Sequence, residues 1–233
     1  MNIENQNDYK TLLSVLEKKS AGKDFIDFSS KIIKTEKQII GVRTPELKKL
    51  AKEIFKDSHD TLFELGDNKF YEEVIIKGLV LCFHKESDYV FPRLKKLANC
   101  YDCWAEVDLT ASLKCVKGND QDFDFFCKLL ESDKEFVVRL GVVGLMKFFI
   151  NDYERVLSVL DGVKCDKYYV NMAIAWLISE ILIKNSQNAP EIMQKIIKNH
   201  HFNNFIINKG IQKACESFRI DEKTKQELRK LKV

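Results

Sequence analysis

Apolar residues recur at spacings of three and four along almost the whole chain. This is the period of an α-helix that buries one face, and no segment alternates convincingly with the period of two that a half-buried strand requires. The chain holds only 9 Gly and 3 Pro in 233 residues, fewer than the turns of a sheet-rich fold would use. The sequence therefore predicts an all-α fold with short connections.

Individual helices can be placed from this spacing and from start signals. The clearest start is Thr44-Pro45, a plausible N-cap residue followed by proline at the first helical position. Residues 136–150 are rich in β-branched side chains, but the run is too long for an ordinary strand. We expect a buried helix there, with Gly141 and Gly144 permitting close approach by a neighbour. Helical patterns are predicted at 8–19, 24–34, from 44 onward, 60–65, 70–84, 88–98, 103–116, 122–131, 135–150, 152–161, 168–184, 190–199, 203–217 and 221–231.

The predicted helices group into antiparallel pairs that repeat at about 35–45 residues, a period typical of HEAT-type or armadillo-type repeats. In each pair the second helix is longer and more apolar, as expected if it lines an inner layer. We therefore expect a curved α-solenoid of antiparallel HEAT-like helix pairs, formed as a single domain over residues 1–233, with a compact helical bundle as the alternative. The pairs are 44–65 with 70–84, 88–98 with 103–116, 122–131 with 135–150, 152–161 with 168–184, and 190–199 with 203–217.

Charge and cysteine content narrow the environment of the protein. The formal net charge is only +3, but residues 101–190 hold 10 basic and 14 acidic side chains, whereas residues 191–233 hold 10 and 5. Any polyanion site must therefore come from clustering on one face. No apolar run reaches the roughly 18 residues of a membrane span, and the N-terminal residues lack the layout of a secretion signal. Seven scattered cysteines suit a reducing compartment, so we expect a cytoplasmic protein with no membrane partner.

Several classes of catalytic site find no support in the motifs. There is no Gly-rich phosphate loop, and none of the four histidines lies beside a candidate nucleophile. The Cys100-Tyr101-Asp102-Cys103 motif lacks the second ligand pair of a structural zinc site and the βαβ context of a thioredoxin. We expect no metal site, and two thiols that pack as small apolar groups.

Four side chains on the predicted inner helices are candidates for a functional site. Trp104 and Asp108 are four residues apart and share one face of a helix. Arg139 is the only charged residue between Phe136 and Met146, and Trp176 lies on another apolar helix. Packing and ion pairing would account for each of them separately. If the solenoid pairing is correct, however, Trp104, Asp108, Arg139 and Trp176 converge on one concave wall.

In its motifs the chain resembles the AlkD-like DNA alkylation-repair family, whose members are HEAT-like-repeat DNA glycosylases. The resemblance runs from IGVRTPELKKLAKEI (residues 40–54) to NKGIQKACESFRI (residues 208–220). It implies excision of N3- and N7-alkylated purines from double-stranded DNA, without a metal or organic cofactor. We expect a monomer that lies with the nucleoid when it is bound to DNA.

The resemblance also assigns roles to individual residues. Asp108 matches the catalytic carboxylate, Trp104 and Trp176 match the two tryptophans of the catalytic cleft, and Arg139 matches an arginine that contacts the DNA backbone. The place of a cleft tyrosine falls at Lys31 or Ile32. Candidate phosphate contacts are Arg43 with the Lys31, Lys34 and Lys37 cluster, and a C-terminal group that includes Lys209 and Lys213.

The sequence departs from the catalytic members of the family at two positions, since Ser179 stands where they carry an arginine and Ala105 where they carry an acidic residue. Ser179 motivates an alternative, a non-catalytic relative that binds DNA structure. The acidic middle segment motivates another, a solenoid that binds proteins and no nucleic acid.

Overall fold

The computed structural model describes residues 1–57 and 59–233, and within these ranges all regular elements are helical apart from two isolated β-bridges. The all-α prediction is therefore confirmed. Short 3₁₀ turns lie at Asp60–Phe63, Ile150–Asp152 and Ser186–Asn188. The α-helices are α1 (Gln6–Lys18), α2 (Lys23–Ile33), α3 (Thr44–Phe55), α4 (Tyr71–Phe83), α5 (Ser87–Ala98), α6 (Trp104–Thr110), α7 (Asp120–Leu130), α8 (Glu135–Phe149), α9 (Tyr153–Leu160), α10 (Tyr168–Lys184), α11 (Ala189–Asn199), α12 (Asn204–Glu216) and α13 (Glu222–Arg229).

Most helix bounds agree with the sequence prediction to within two residues. The N-cap of α3 is Arg43 rather than Thr44, which is the first helical residue, and Pro45 lies in the first turn as expected. The prediction for residues 60–65 is wrong in type, because the segment forms a 3₁₀ turn that ends at Phe63.

The prediction of a long inner helix over residues 103–116 is also wrong, because α6 ends at Thr110. A continued helix would require the Lys114 amide to donate to the Thr110 carbonyl. Instead the Lys114 amide donates to the Cys82 carbonyl (3.2 Å), and the Thr110 carbonyl accepts from Cys82 Sγ (3.2 Å). Cys82, near the end of α4, thus takes the hydrogen bonds that the next turn of α6 would have made. The spacing of apolar residues in the sequence gives no sign of this competing partner.

The chain divides into two compact units, Met1–Lys117 and Gly118–Val233. In the first unit α4 is the central helix, and α3, α5 and α6 all pack against it. Every residue from Tyr71 to Cys82 is buried. The approach of α6 is close, since a Cβ atom added at Gly78 would lie 2.2 Å from Thr110 Cγ2.

Three charged side chains on α4 are buried with that helix. Glu72 accepts hydrogen bonds from the amides of Ile40 (2.9 Å), Gly41 (2.7 Å) and Val42 (3.1 Å). Lys77 donates to Glu73 (2.7 Å), and also to the Leu65 carbonyl and Asn68 Oδ1 in the segment that precedes α4. Buried charge is tolerated here because each group has polar partners at short range.

In the second unit α10 lies between α8 and α12. The first two turns of α8 are joined to the first turn of α10 by two hydrogen bonds, from Arg139 Nη1 to the Tyr169 carbonyl (2.8 Å) and from the Tyr169 amide to Glu135 (2.7 Å). Tyr168 and Phe205 contact each other at the starts of α10 and α12, with ring centroids 5.9 Å apart. The three long helices therefore run parallel, with their N-terminal ends at one edge of the unit.

Two predicted small-residue contacts occur in this unit. A Cβ atom at Gly144 would lie 2.2 Å from the ring of Phe126 on α7, and one at Gly141 would lie 2.9 Å from the Phe126 carbonyl. The expectation that these glycines permit close approach by a neighbour is confirmed.

Backbone proximity agrees with two of the predicted pairs, since α3 packs on α4 and α7 packs on α8, but it differs from the prediction for α9 and α11. By backbone proximity α9 lies against α8, and α11 lies against α10 and α13. In backbone proximity each therefore lies closer to the preceding long helix than to the following one. In the first unit α5 and α6 likewise both pack on α4. In the described ranges, no helix has the length and apolar character needed to cross a bilayer.

Candidate functional site

The face of α6 that carries Trp104 and Asp108 is the partly exposed side of that helix. Both side chains are only half-buried, while Ala105, Glu106 and Val107 between them are buried. The indole and the carboxylate therefore stand one helical turn apart on an accessible surface, supported from behind by packed residues.

A buried carboxylate holds the start of α6. Glu106 is fully buried, and its Oε2 accepts the backbone amides of Asp102 (2.8 Å) and Cys103 (3.4 Å). These amides precede the helix, so Glu106 is the N3 residue of a capping box, whose side chain accepts the backbone amide of the N-cap residue Cys103. Burial raises the pKa of the Glu106 carboxyl, and the nearby Lys37 ammonium opposes that shift.

Lys37 supplies the compensating charge. Its Nζ lies 3.0 Å from Glu106 Oε1 and 3.0 Å from Asp102 Oδ1, and it donates to the Cys100 carbonyl at 2.7 Å. Burial acts to lower the pKa of Lys37, but the attraction of both carboxylates outweighs it and the pKa is raised. The sequence placed Lys37 among the phosphate contacts, whereas its side chain is only 8 % exposed and its ammonium group is held by two carboxylates. Sequence alone offered no signal for this partner, which is 69 positions from Glu106.

The last turn of α2 and the segment that follows it contact the same site. Trp104 Nε1 donates to the Ile32 carbonyl at 3.2 Å, and Thr35 Oγ1 and the Glu36 amide donate to Asp102 at 2.6 and 3.1 Å. The position that the family resemblance assigns to a cleft tyrosine, Lys31 or Ile32, thus lies beside Trp104. The Ile32 side chain is 46 % exposed at this place.

Asp102, Cys103 and Glu106 are the one group in the described ranges with three potential metal-ligand atoms close together, all within 4.8 Å of one another. The Lys37 ammonium already lies against both carboxylates. Burial raises the pKa of the Cys103 thiol, which disfavours the thiolate that a metal would require. The donor set therefore has its own internal cation and fits a metal ion poorly.

Arg139 lies in the second unit and is buried, with 5 % of its surface exposed. Its Nη1 donates to the Tyr169 carbonyl and so connects α8 to α10. The sequence prediction of a contact with the DNA backbone stays a prediction, since the observed bond lies between two helices of one unit.

Trp176 is half-buried on α10, and its Nε1 donates to Glu180 Oε1 at 3.0 Å. Ser179 is 1 % exposed, and its hydroxyl donates to the Trp176 carbonyl at 2.7 Å. Sequence reasoning missed Glu180, although its spacing from Trp176 equals that of Asp108 from Trp104. This repeated Trp-to-carboxylate spacing of four was the available signal.

The candidate phosphate contacts occupy different surroundings. The Arg43 guanidinium lies 4.6 Å from the centroid of the Phe25 ring. Lys209 and Lys213 are half-buried on α12, and Lys209 Nζ donates to Gln212 at 3.0 Å. Each unit thus contributes one tryptophan with a carboxylate one turn later, and the convergence of the two tryptophans on one wall stays a prediction.

Comparison with known families places this helical protein among DNA-repair proteins. The sequence model of a family described as DNA alkylation repair enzyme matches residues 15–214, a span that includes Trp104, Asp108, Arg139 and Trp176. The chain belongs to the DNA alkylation repair enzyme family. No curated protein matches the chain.

Proposed function

We propose that the protein is a DNA glycosylase that excises cationic N3- and N7-alkylated purines from double-stranded DNA. In this proposal residues 1–233 form one HEAT-like solenoid, and a monomer holds the duplex along its concave side. Trp104, Asp108 and Trp176 act at the lesion, while Arg139, Arg43, Lys209 and Lys213 bind the DNA backbone. Membership of the DNA alkylation repair family supports DNA as the partner.

Cleavage of the glycosidic bond of a cationic alkylpurine requires mainly a negative charge positioned near the sugar. An N3- or N7-alkylpurine is cationic, so the base leaves with the electron pair of its glycosidic bond and needs no general acid. Positive charge then develops on the sugar, and the oxygen of a water molecule bonds to C1′ as the glycosidic bond breaks. A carboxylate such as Asp108 can orient that water and accept its proton.

The attraction between a carboxylate and the positive charge that develops on the sugar is large enough to accelerate the reaction substantially. A carboxylate about 4 Å from the developing charge gains roughly 4 kcal/mol at an effective dielectric constant of about 20. This corresponds to on the order of 10³ in rate if the interaction is made only in the transition state. Each indole face adds about 1–2 kcal/mol of cation–π attraction when it is desolvated.

The observation that carries the proposal is the arrangement of α6. Trp104 and Asp108 occupy its accessible face, while the opposite face is held by Glu106, Lys37 and Asp102. A carboxylate that stabilises a transition state must be held in place before the reaction begins. The capped and ion-paired start of α6 provides this rigidity.

Release of 7-methylguanine or 3-methyladenine from methylated duplex DNA tests the proposal. We expect Asp108→Asn to lower the single-turnover rate about 10³-fold, because it removes the charge with little change of shape. Asp124→Asn, at an exposed position on α7, is the matched control and should keep the wild-type rate. Full activity of folded Asp108→Asn protein would contradict the assigned role.

A second function, non-catalytic recognition of DNA structure, is favoured by the surroundings of Trp176. Ser179 occupies the position at which the family's catalytic members carry an arginine, and its buried hydroxyl donates to the Trp176 carbonyl of its own helix. Salt-sensitive binding to duplex DNA with no base release from the wild-type protein would select this function over the first.

A further inference from the structure

Two aromatic side chains in contact form an exposed patch at one edge of the second unit. Tyr168 begins α10 and is 58 % exposed, and Phe205 lies in the first turn of α12 and is 37 % exposed. Their ring centroids are 5.9 Å apart. The row of rings continues from Tyr168 to Tyr169 (5.1 Å) and from there to Phe136 on α8 (5.4 Å). The Tyr168–Phe205 patch is therefore supported by rings from three helices.

On α10 the patch continues the side of the helix that carries Trp176. Tyr168, Met172, Trp176 and Glu180 follow one another at a spacing of four, so they share one side of α10. This side is accessible, because Met172, Trp176 and Glu180 are half-buried whereas the residues between them are buried. The helical rise places Tyr168 about 12 Å from Trp176 along the axis. The patch therefore lies on the side of α10 that would face a duplex held at Trp176.

On α12 the patch adjoins a proposed phosphate contact. Lys209 follows Phe205 by four residues, so the two side chains share one side of that helix. Phe205 is exposed and Lys209 half-buried, whereas Ile206 and Ile207 between them are buried. On α10 the exposed Lys167 directly precedes Tyr168. Each ring of the patch thus has a lysine close to it along its own part of the chain.

We infer that the Tyr168–Phe205 patch packs against the sugars of one strand of a bound duplex and leaves the bases stacked, while Lys167 and Lys209 contact the adjoining phosphates. This inference rests on the proposed function, which places DNA at Trp176 and Lys209, but it concerns a contact away from the lesion. The 12 Å to Trp176 correspond to about three to four nucleotide steps along the duplex axis.

The chemistry of the DNA backbone suits this surface. A deoxyribose presents C–H groups between two charged phosphates, and the patch presents apolar rings beside two lysines. Contacts to sugar and phosphate fix the position of a protein on the duplex and carry no sequence information. The Tyr168–Phe205 patch would therefore hold the duplex in register at Trp176 without a preference for the flanking bases.

Fluorescence anisotropy measures this contact on a 20-base-pair duplex with one central tetrahydrofuran residue, a stable analogue of the site after base release. We expect Tyr168→Ala and Phe205→Ala each to weaken binding about fivefold, the factor for roughly 40 Å² of apolar contact. Tyr168→Phe keeps the ring and should bind like the wild type. Phe218→Ala is the matched control, because Phe218 is 92 % exposed on the connection between α12 and α13, away from both stripes.

Shortened duplexes test the distance from the lesion. One duplex ends two base pairs beyond the tetrahydrofuran residue on its 5′ side, and another ends two base pairs beyond it on its 3′ side. We expect the fivefold difference between wild type and Phe205→Ala to vanish on one of them and to persist on the other. An unchanged difference on both duplexes would contradict the placement.

The outcomes separate the patch from the proposed glycosylase. Wild-type affinity of both alanine variants would overturn the patch contact, even if the wild type releases methylated bases. A fivefold loss in both variants, with no base release by the wild type, would support the contact and contradict the glycosylase. An equal loss in Phe218→Ala would also overturn the contact, and a wild-type protein that binds no duplex would overturn both proposals.

Discussion

Lys37 Nζ lies 3.0 Å from the Oε1 atom of the fully buried Glu106, so an ion pair inside the protein fixes the first turn of α6. Asp102 shares the same ammonium group at 3.0 Å. Trp104 and Asp108 follow on the opposite, accessible face of the helix. The proposed reaction residues therefore lie on a helix whose first turn is held by this charge pair.

Removing the cation of this pair should destabilise the protein in a pH-dependent way. We expect Lys37→Met to lower the free energy of unfolding by about 3 kcal/mol at neutral pH, because Glu106 is left as a buried charge without its partner. Burial keeps the pKa of Glu106 raised in the folded state, so the folded variant binds more protons than the unfolded chain above the ordinary glutamate pKa. Its stability should therefore recover as the pH falls toward that value.

Thermal melts of Lys37→Met at pH 5.0 and 7.5 measure this recovery. In the wild type the raised pKa of Lys37 contributes stability across neutral pH, and this contribution is lost only as the pH rises through the folded-state pKa. The control is Lys31→Met, an exposed position on α2, which should change stability by less than about 0.5 kcal/mol. Equal loss at both pH values would count against an ionised Glu106.

The Trp176–Glu180 hydrogen bond should orient the indole ring. Glu180→Ala removes the acceptor of Trp176 Nε1–H while leaving the buried face of α10 intact. We expect about a tenfold loss in the rate of base release, since small misplacements of a binding group are costly, and a shift in tryptophan fluorescence. Glu154→Ala on α9 is an exposed control, and an unchanged fluorescence spectrum for Glu180→Ala would show that the bond does not form in solution.

Glu72 should be essential for the segment that leads into α3. Its two oxygens accept three backbone amides, from Ile40, Gly41 and Val42. In Glu72→Gln one oxygen becomes an NH₂ group that faces an amide donor, so we expect a loss of about 2–3 kcal/mol in chemical denaturation. Glu53→Gln, at an exposed position on α3, serves as the matched control with no expected change.

The contact between α7 and α8 depends on the absence of a side chain at Gly144. A Cβ atom there would overlap the Phe126 ring at 2.2 Å, so Gly144→Ala should cost about 1–3 kcal/mol through overpacking. At Gly162 the nearest atom is the Val159 carbonyl oxygen, at 3.5 Å. Gly162→Ala should therefore be neutral or slightly stabilising, and equal melting temperatures for the two variants would refute the packing argument.

Local sequence patterns predicted the helices well because helix formation follows from spacing within one segment. The apolar spacing placed α8 and α10 nearly to the residue, and Thr44-Pro45 placed the start of α3. The same pattern failed after Thr110, where Cys82 of α4 takes the hydrogen bonds of the next turn. Periodicity cannot reveal a partner that is distant in sequence.

By itself the sequence determined the all-α class, the family and the shared face of Trp104 and Asp108, because each depends on residues that are neighbours along the chain or on motif order. Only the tertiary structure decided that Lys37 is an internal ion-pair partner, that Arg139 is bonded to α10, and that Phe218 stands in solvent. Charge alone does not tell an exposed lysine from a buried one. That distinction depends on which distant carboxylates the fold brings within about 3 Å, since a buried cation is stable only beside such partners.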